Sequence, residues 1–171
     1  MGSASGTGTV KRIPLGGLTD AASYGFTGYV SPPGPGVNAQ WQFISLASDH
    51  AGVCADAGGT FQDSEITFRL VLSGYADSPA SAPVYPPAAS LPLTMTPGQL
   101  VTTSDGVHRQ CNPYVMQASN GRAGTDHAAT SGTVTVTQWD AGGVTASWNL
   151  AFNGDATTGS LSAPWCGTPP A

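Results

Sequence analysis

An all-β fold, an antiparallel β-sandwich or flattened barrel of about eight strands, is predicted for this 171-residue chain from three observations. The residues that cover helix surfaces are scarce: lysine occurs once (Lys11), glutamate once (Glu65), and charged residues make up 9% of the chain. Glycine and proline, at 23 and 14 residues, break the sequence at short intervals. Where apolar runs occur, they alternate with period two. The 40% hydrophobic share is enough for a core, and the length favours one domain.

Residues 1–12 read as a leader and flexible N-terminus. Met1-Gly-Ser-Ala-Ser-Gly has neither the basic nor the apolar region of a secretory signal and looks like an added segment. The stretch 1–22 is rich in Gly, Ser and Thr and is expected to be loose apart from an apolar patch at Ile13–Leu18. The domain is placed at 13–166, with 167–171 as a tail.

Weaker strands are expected at Tyr24–Val30 and Gln40–Ala47, separated by Pro32, Pro33 and Pro35. Glu65–Ser73 sets Ile66, Phe68, Leu70 and Leu72 on one face against Glu65, Thr67 and Arg69 on the other. From Ser78 to Gly98 six prolines, each lacking a donor and fixing its φ, exclude a central strand or helix interior. This segment is expected to be an extended Pro-rich strap over the sheet, anchored by Val84, Tyr85, Leu91, Leu93 and Met95. Val107–Cys111 and Tyr114–Ala118 are further weak strands. Residues 133–163 form a three-stranded meander turned by Asp140-Ala-Gly-Gly143 and Asn153-Gly154-Asp155. In its first strand Val134 and Val136 face inward, with Trp139 in phase with Thr133, Thr135 and Thr137 on the polar face. In its second strand Trp148 is on the core face.

Five cations against ten carboxylates give a net charge of −5. No basic surface for nucleic acid or anionic lipid can be assembled from Lys11, Arg12, Arg69, Arg109 and Arg122. No apolar run reaches the ~18 residues of a membrane span. A low-charge β domain of this composition is expected to be exported, to the periplasm, outer-membrane surface or extracellular space.

The three cysteines, Cys54, Cys111 and Cys166, form no CxxC pair. One disulfide and one remaining thiol are expected, with Cys54–Cys166 the favoured pairing. Cys166 follows the last strand and can staple the C-terminus. Cys54 lies in a Gly/Ala/Asp loop after the 40–47 strand. His50, His108, Cys111 and Met116 are soft and imidazole ligand types suited to copper, which makes a metal carrier or metalloenzyme a second alternative. No His stands between Cys111 and Met116, however, and loop histidines beside Asp49, Asp105 and Asp126 are the favoured reading, with no cofactor. Ser48-Asp49-His50 are sequence neighbours, which seldom form a triad. No G-x-S-x-G, HExxH or phosphate loop occurs. Trp139, Trp41 and Tyr114 are the candidate ligand-binding residues, because a solvent-facing aromatic can stack on a sugar or anchor a protein. The competing assignment packs Trp139 under the strap.

The run Ser131-Gly-Thr-Val-Thr-Val-Thr-Gln-Trp-Asp140, then Val144–Phe152, then Gly159-Ser-Leu-Ser-Ala-Pro-Trp-Cys166 resembles the ending of secreted lipoproteins common in myxobacteria and related bacteria. Trp148 and Leu161 stand where that pattern has Phe. The resemblance covers residues 131–166 and implies export, with a lipid-bearing cysteine upstream. It implies no activity. The expectation is a non-catalytic envelope or extracellular module that binds a protein or glycan partner or serves a structural role. A carbohydrate-binding module using exposed Trp is the alternative.

Overall fold

Alternating side chains set two sheets face to face in the computed structural model, which describes residues 2–26, 39–54, 60–76 and 83–170. Sheet one contains β1 (Ser3–Val10), β2 (Ile13–Pro14), β6 (Leu93–Met95), β10 (Ser131–Asp140), β11 (Gly143–Phe152) and β12 (Asp155–Ala163), in the order β2-β1-β12-β11-β10-β6. Sheet two contains β3 (Asp20–Phe26), β4 (Ala39–Ser48), β5 (Ile66–Ala76), β7 (Val101–Thr102) and β8 (His108–Gln117), in the order β3-β4-β5-β8-β7, with β9 (His127–Ala128) also on β8. All pairings between these strands are antiparallel. Helical conformation among the described residues is limited to 3-10 turns, at Ala88–Ser90 and at Val53 and Cys54.

The core lies between the sheets. Sheet two contributes Phe43, Phe68, Leu70, Leu72 and Val115, and sheet one contributes Val134, Val136, Trp148, Leu150, Phe152 and Leu161. Each such side chain is worth roughly 1.5–3 kcal/mol of burial. In its second strand, Val144–Phe152, the meander follows its sequence pattern closely. Its second turn is Asn153-Gly154, both residues at positive φ (53° and 96°), as a two-residue hairpin turn requires.

Three expectations are corrected. The N-terminal residues are not a loose leader: Ser3–Val10 is a full strand of sheet one, in register Ser3↔Ser162, Ser5↔Ser160 and Thr7↔Thr158 with β12. Hydroxyl side chains face solvent on this strand, and Gly6 lies opposite Gly159, where the Trp148 ring approaches. The two weak strands on either side of Pro113 are one strand, β8. The Pro113 carbonyl accepts from Ala129 on the side of β8 away from β5, so the missing proline N–H also faces that side and no β5 bond is lost. Trp139 does not face solvent. A β-bulge between Val136 and Gln138 inserts Thr137 as an extra residue, reversing the phase, and Trp139 is 1% exposed.

The strand expected at 24–30 begins earlier, at Asp20, and its residues 27–30 lie outside the described ones. So does the start of the Pro-rich segment, 78–82. Its second half becomes β6, an edge strand pairing Leu93 with Val136 and Met95 with Val134. Its first half, residues 83–85, is gripped by Arg109, described below.

Candidate functional site

Beside the first half of β4 a cleft of about 480 Å3 opens. Among the described residues Trp41 and Phe43 of β4 and Gly25 of β3 lie along it, with Tyr24 and Gln42 beside them. Val84 of the Pro-rich segment and Trp165, Cys166, Thr168 and Pro170 of the C-terminal tail complete the lining. No charged side chain is in this set.

The tail is held in place by several bonds. The Ser23 N–H donates to the Pro164 carbonyl and the Cys166 N–H to the Ser23 carbonyl, both at 2.7 Å, making a parallel bridge between Ser23 and Trp165. The Trp165 indole N–H donates to the Asp140 carbonyl (2.8 Å), and the Tyr85 hydroxyl donates to the Pro170 carbonyl (2.7 Å). Burial, with Asp140 nearby, raises the Tyr85 pKa, so that hydroxyl keeps its proton. The Cys54–Cys166 disulfide ties the tail to the loop after β4. The Trp165 ring stands edge-on to Phe43 at 5.0 Å between centroids.

Behind the cleft lies the arrangement that sequence reading missed. Arg109, fully buried, stands over the rings of Trp41 (5.6 Å) and Trp139 (5.2 Å). Its guanidinium donates to the Asp105 carboxylate (2.9 Å) and to the carbonyls of Pro83, Val84 and Tyr85, and its Nε to Thr103 Oγ1. A strap rich in proline has many carbonyls and few N–H groups, and an arginine fork supplies the missing donors. Burial lowers the Arg109 pKa while Asp105 works against that shift. Burial alone would raise the Asp105 pKa, but hydrogen bonds from Thr103, the Val107 N–H and Arg109 outweigh it and hold the carboxyl below its ordinary value. One signal was available: Arg109 shares an inward parity with Cys111, Pro113 and Val115. Trp165 carried no signal beyond its place in the resemblance.

The predicted aromatic candidates separate. Trp41 lines the cleft although only 5% exposed, Trp139 packs behind it, and Tyr114 lies half-buried on the outward face of β8. Trp41 and Trp139 meet edge to face at 5.7 Å. Cys54 and Cys166 are joined as expected, and Cys111 is the free, buried thiol, its pKa pushed up to about 12 by burial.

The metal alternative does not assemble. Cys111 points into the sandwich core, whereas Met116 packs on the other face of β8 with Phe61. His108 is on the outward parity and meets Thr102 Oγ1 through Nδ1, at 2.7 Å. His50 meets Asp49 at the end of β4, 2.7 Å apart. Among the described residues no three His, Cys, Asp or Glu side chains gather as ion ligands. Ser48, Asp49 and His50 form no triad either, because the Ser48 hydroxyl donates to buried Glu65. Asp63 and Asp155 accept backbone N–H groups of Asn120 and Lys11, the work of turn residues. No described helix is long and apolar enough to cross a membrane. Compared with protein-family models, curated proteins and solved structures, the chain matches none.

Proposed function

We propose that this protein is an exported β-sandwich that acts by binding, as an envelope or extracellular module, and that the aromatic cleft is its binding site. The observation that carries the reading is the lining: Tyr24, Trp41, Phe43 and Trp165 around about 480 Å3, with no charged side chain among the described residues. An open apolar concavity gains free energy when a ligand covers it, and its few polar groups orient what enters. The described residues of the cleft include no paired acid and base and no activated nucleophile, and binding is the function that this lining supports. Export is supported by the Cys54–Cys166 bridge, since such bonds persist in oxidising compartments. The likeness to secreted lipoproteins adds a lipid-bearing cysteine upstream to the proposal.

A second reading, sugar binding, rests on Trp165, which is half-buried at the cleft and replaces Trp139 as the stacking residue. The test is a nuclear magnetic resonance screen of uncharged aliphatic and aromatic fragments, blocked peptides and neutral oligosaccharides against the isotope-labelled chain. Binding at the cleft moves the Trp165 indole signal together with those of Thr168 and Gly25. A screen in which no compound moves them overturns the assignment. Shifts caused by oligosaccharides alone select the sugar reading.

A further inference from the structure

Resting on the cleft as the binding site, we infer that its ligand is an extended, uncharged peptide segment that pairs with the outer edge of β3. In an antiparallel ladder successive residues turn their N–H and C=O to opposite sides. Ser23 turns both outward, and the chain's own tail takes them: Pro164 accepts and Cys166 donates, both at 2.7 Å. Gly25, two residues on, turns its N–H and C=O to the same side, away from Phe43, its partner position on β4. Among the described residues neither group has a partner. The tail does not reach them, because the chain turns away at Gly167, whose φ of +78° leaves the extended region. The edge therefore already accepts one extended segment, in parallel bridge with Ser23, and stops being filled where the cleft opens.

An extended backbone brings one acceptor and one donor at strand spacing to these two groups, which a sugar or a compact aromatic does not do in register. Gly25 itself adds no side chain to the approach, and among the described residues a Cβ there would meet only Phe43 Cβ, at 3.6 Å. Alternate side chains of the segment then fall toward Phe43, Trp165, Val84 and Pro170, and the described lining holds no counter-ion for a charged residue. The occupant is accordingly neutral at the positions that enter, with small or mid-sized apolar side chains.

The probes are terminally blocked pentapeptides Thr-X-Thr-X-Thr, with X Val, Leu or Tyr, each compared with a counterpart N-methylated at the backbone amides. Proton–nitrogen spectra of the full chain are recorded during titration. The expected result is a concentration-dependent shift of both the Gly25 amide and the Trp165 indole, slower hydrogen exchange at Gly25, and binding weakened about tenfold by N-methylation. Gly25→Pro removes the donor at an edge position where proline is tolerated, and should weaken binding similarly without lowering Tm, while Gly25→Ala retains it. Shifts at Trp165 with Gly25 unmoved, or equal binding by the methylated peptides, overturn strand pairing and leave the cleft as a side-chain pocket. If neither signal moves with any peptide while neutral fragments still move Trp165, the peptide assignment alone fails. If nothing moves Trp165, the binding-site reading fails with it.

Discussion

Arg109 has the most concentrated set of interactions of any residue described. Replacing it by Met keeps the volume between Trp41 and Trp139 but removes every donor to the strap and leaves Asp105 without its cation. Loss of about 3 kcal/mol is expected, read as a lower denaturation midpoint at unchanged slope. Lys at this position should recover little, since one ammonium cannot replace a fork that reaches three consecutive carbonyls. Gly74 and Gly159 make the opposite case, where adding atoms is harmful. A Cβ at Gly74 would stand 2.2 Å from the Trp41 ring, and one at Gly159 would stand 2.2 Å from Trp148, which stacks on Phe68. Either change to Ala should destabilise by about 1–3 kcal/mol, measured the same way. Cys111 tests the pairing of thiols. An oxidised sample should show one thiol after denaturation and almost none before it, because burial holds the Cys111 pKa at about 12 and the reactive thiolate is scarce. Three thiols would remove the bridge.

At the scale of elements, the strands were readable wherever alternation was uninterrupted, as in β5 and β11. They were misread where a single residue changed the phase or removed a donor. The bulge at Thr137 is invisible to a period-two pattern, since nothing in Thr-Val-Thr-Gln-Trp marks which residue is extra; only the Val136↔Ala146 and Gln138↔Thr145 pairings reveal it. Pro113 falls between the two strands expected at Val107–Cys111 and Tyr114–Ala118, yet the strand is continuous, because proline interrupts a strand only if its missing N–H is needed. Of the segment expected to be an extended strap, Leu93–Met95 is strand but Ala88–Ser90 is a 3-10 turn, and its clamp was not legible, because Arg109 meets residues 83–85 only after folding. That clamp makes the molecule acid-sensitive. The folded-state pKa of Asp105 is lowered, so its contribution is present above the ordinary aspartate range of about 3.9 and is lost as pH falls through the lower folded value. Melting curves should show Tm falling through that acid window, and Asp105→Asn should flatten the fall while lowering Tm at neutral pH.

For the whole molecule, the sandwich class followed from composition and alternation, whereas the order of strands did not, since adjacency across a sheet is not written in local pattern. The N-terminal strand illustrates this: its Ser/Gly/Thr residues look like linker and become strand because β12 presents matching hydroxyls and a facing glycine. The cleft was only partly readable, because its residues come from β3, β4, the strap and the tail, and meet through the fold. The Cys54–Cys166 bond spans 112 residues of sequence, and replacing both by Ser should cost about 2–4 kcal/mol, read by denaturation with Cys111 left intact.

The pairing of β1 with β12 also sets when this protein can fold. The partner of Thr7 is Thr158, so the middle of sheet one remains open until the chain has been made past that residue. Contacts this distant in sequence slow folding. For a chain exported as proposed, that delay is useful: a translocation pore passes unfolded polypeptide, and a sheet that closes with its last strand keeps the chain threadable until it emerges. Chains stalled before Asp155 should remain as protease-sensitive as unfolded polypeptide, and those extended past Cys166 should become resistant, which ties the onset of structure to arrival on the far side.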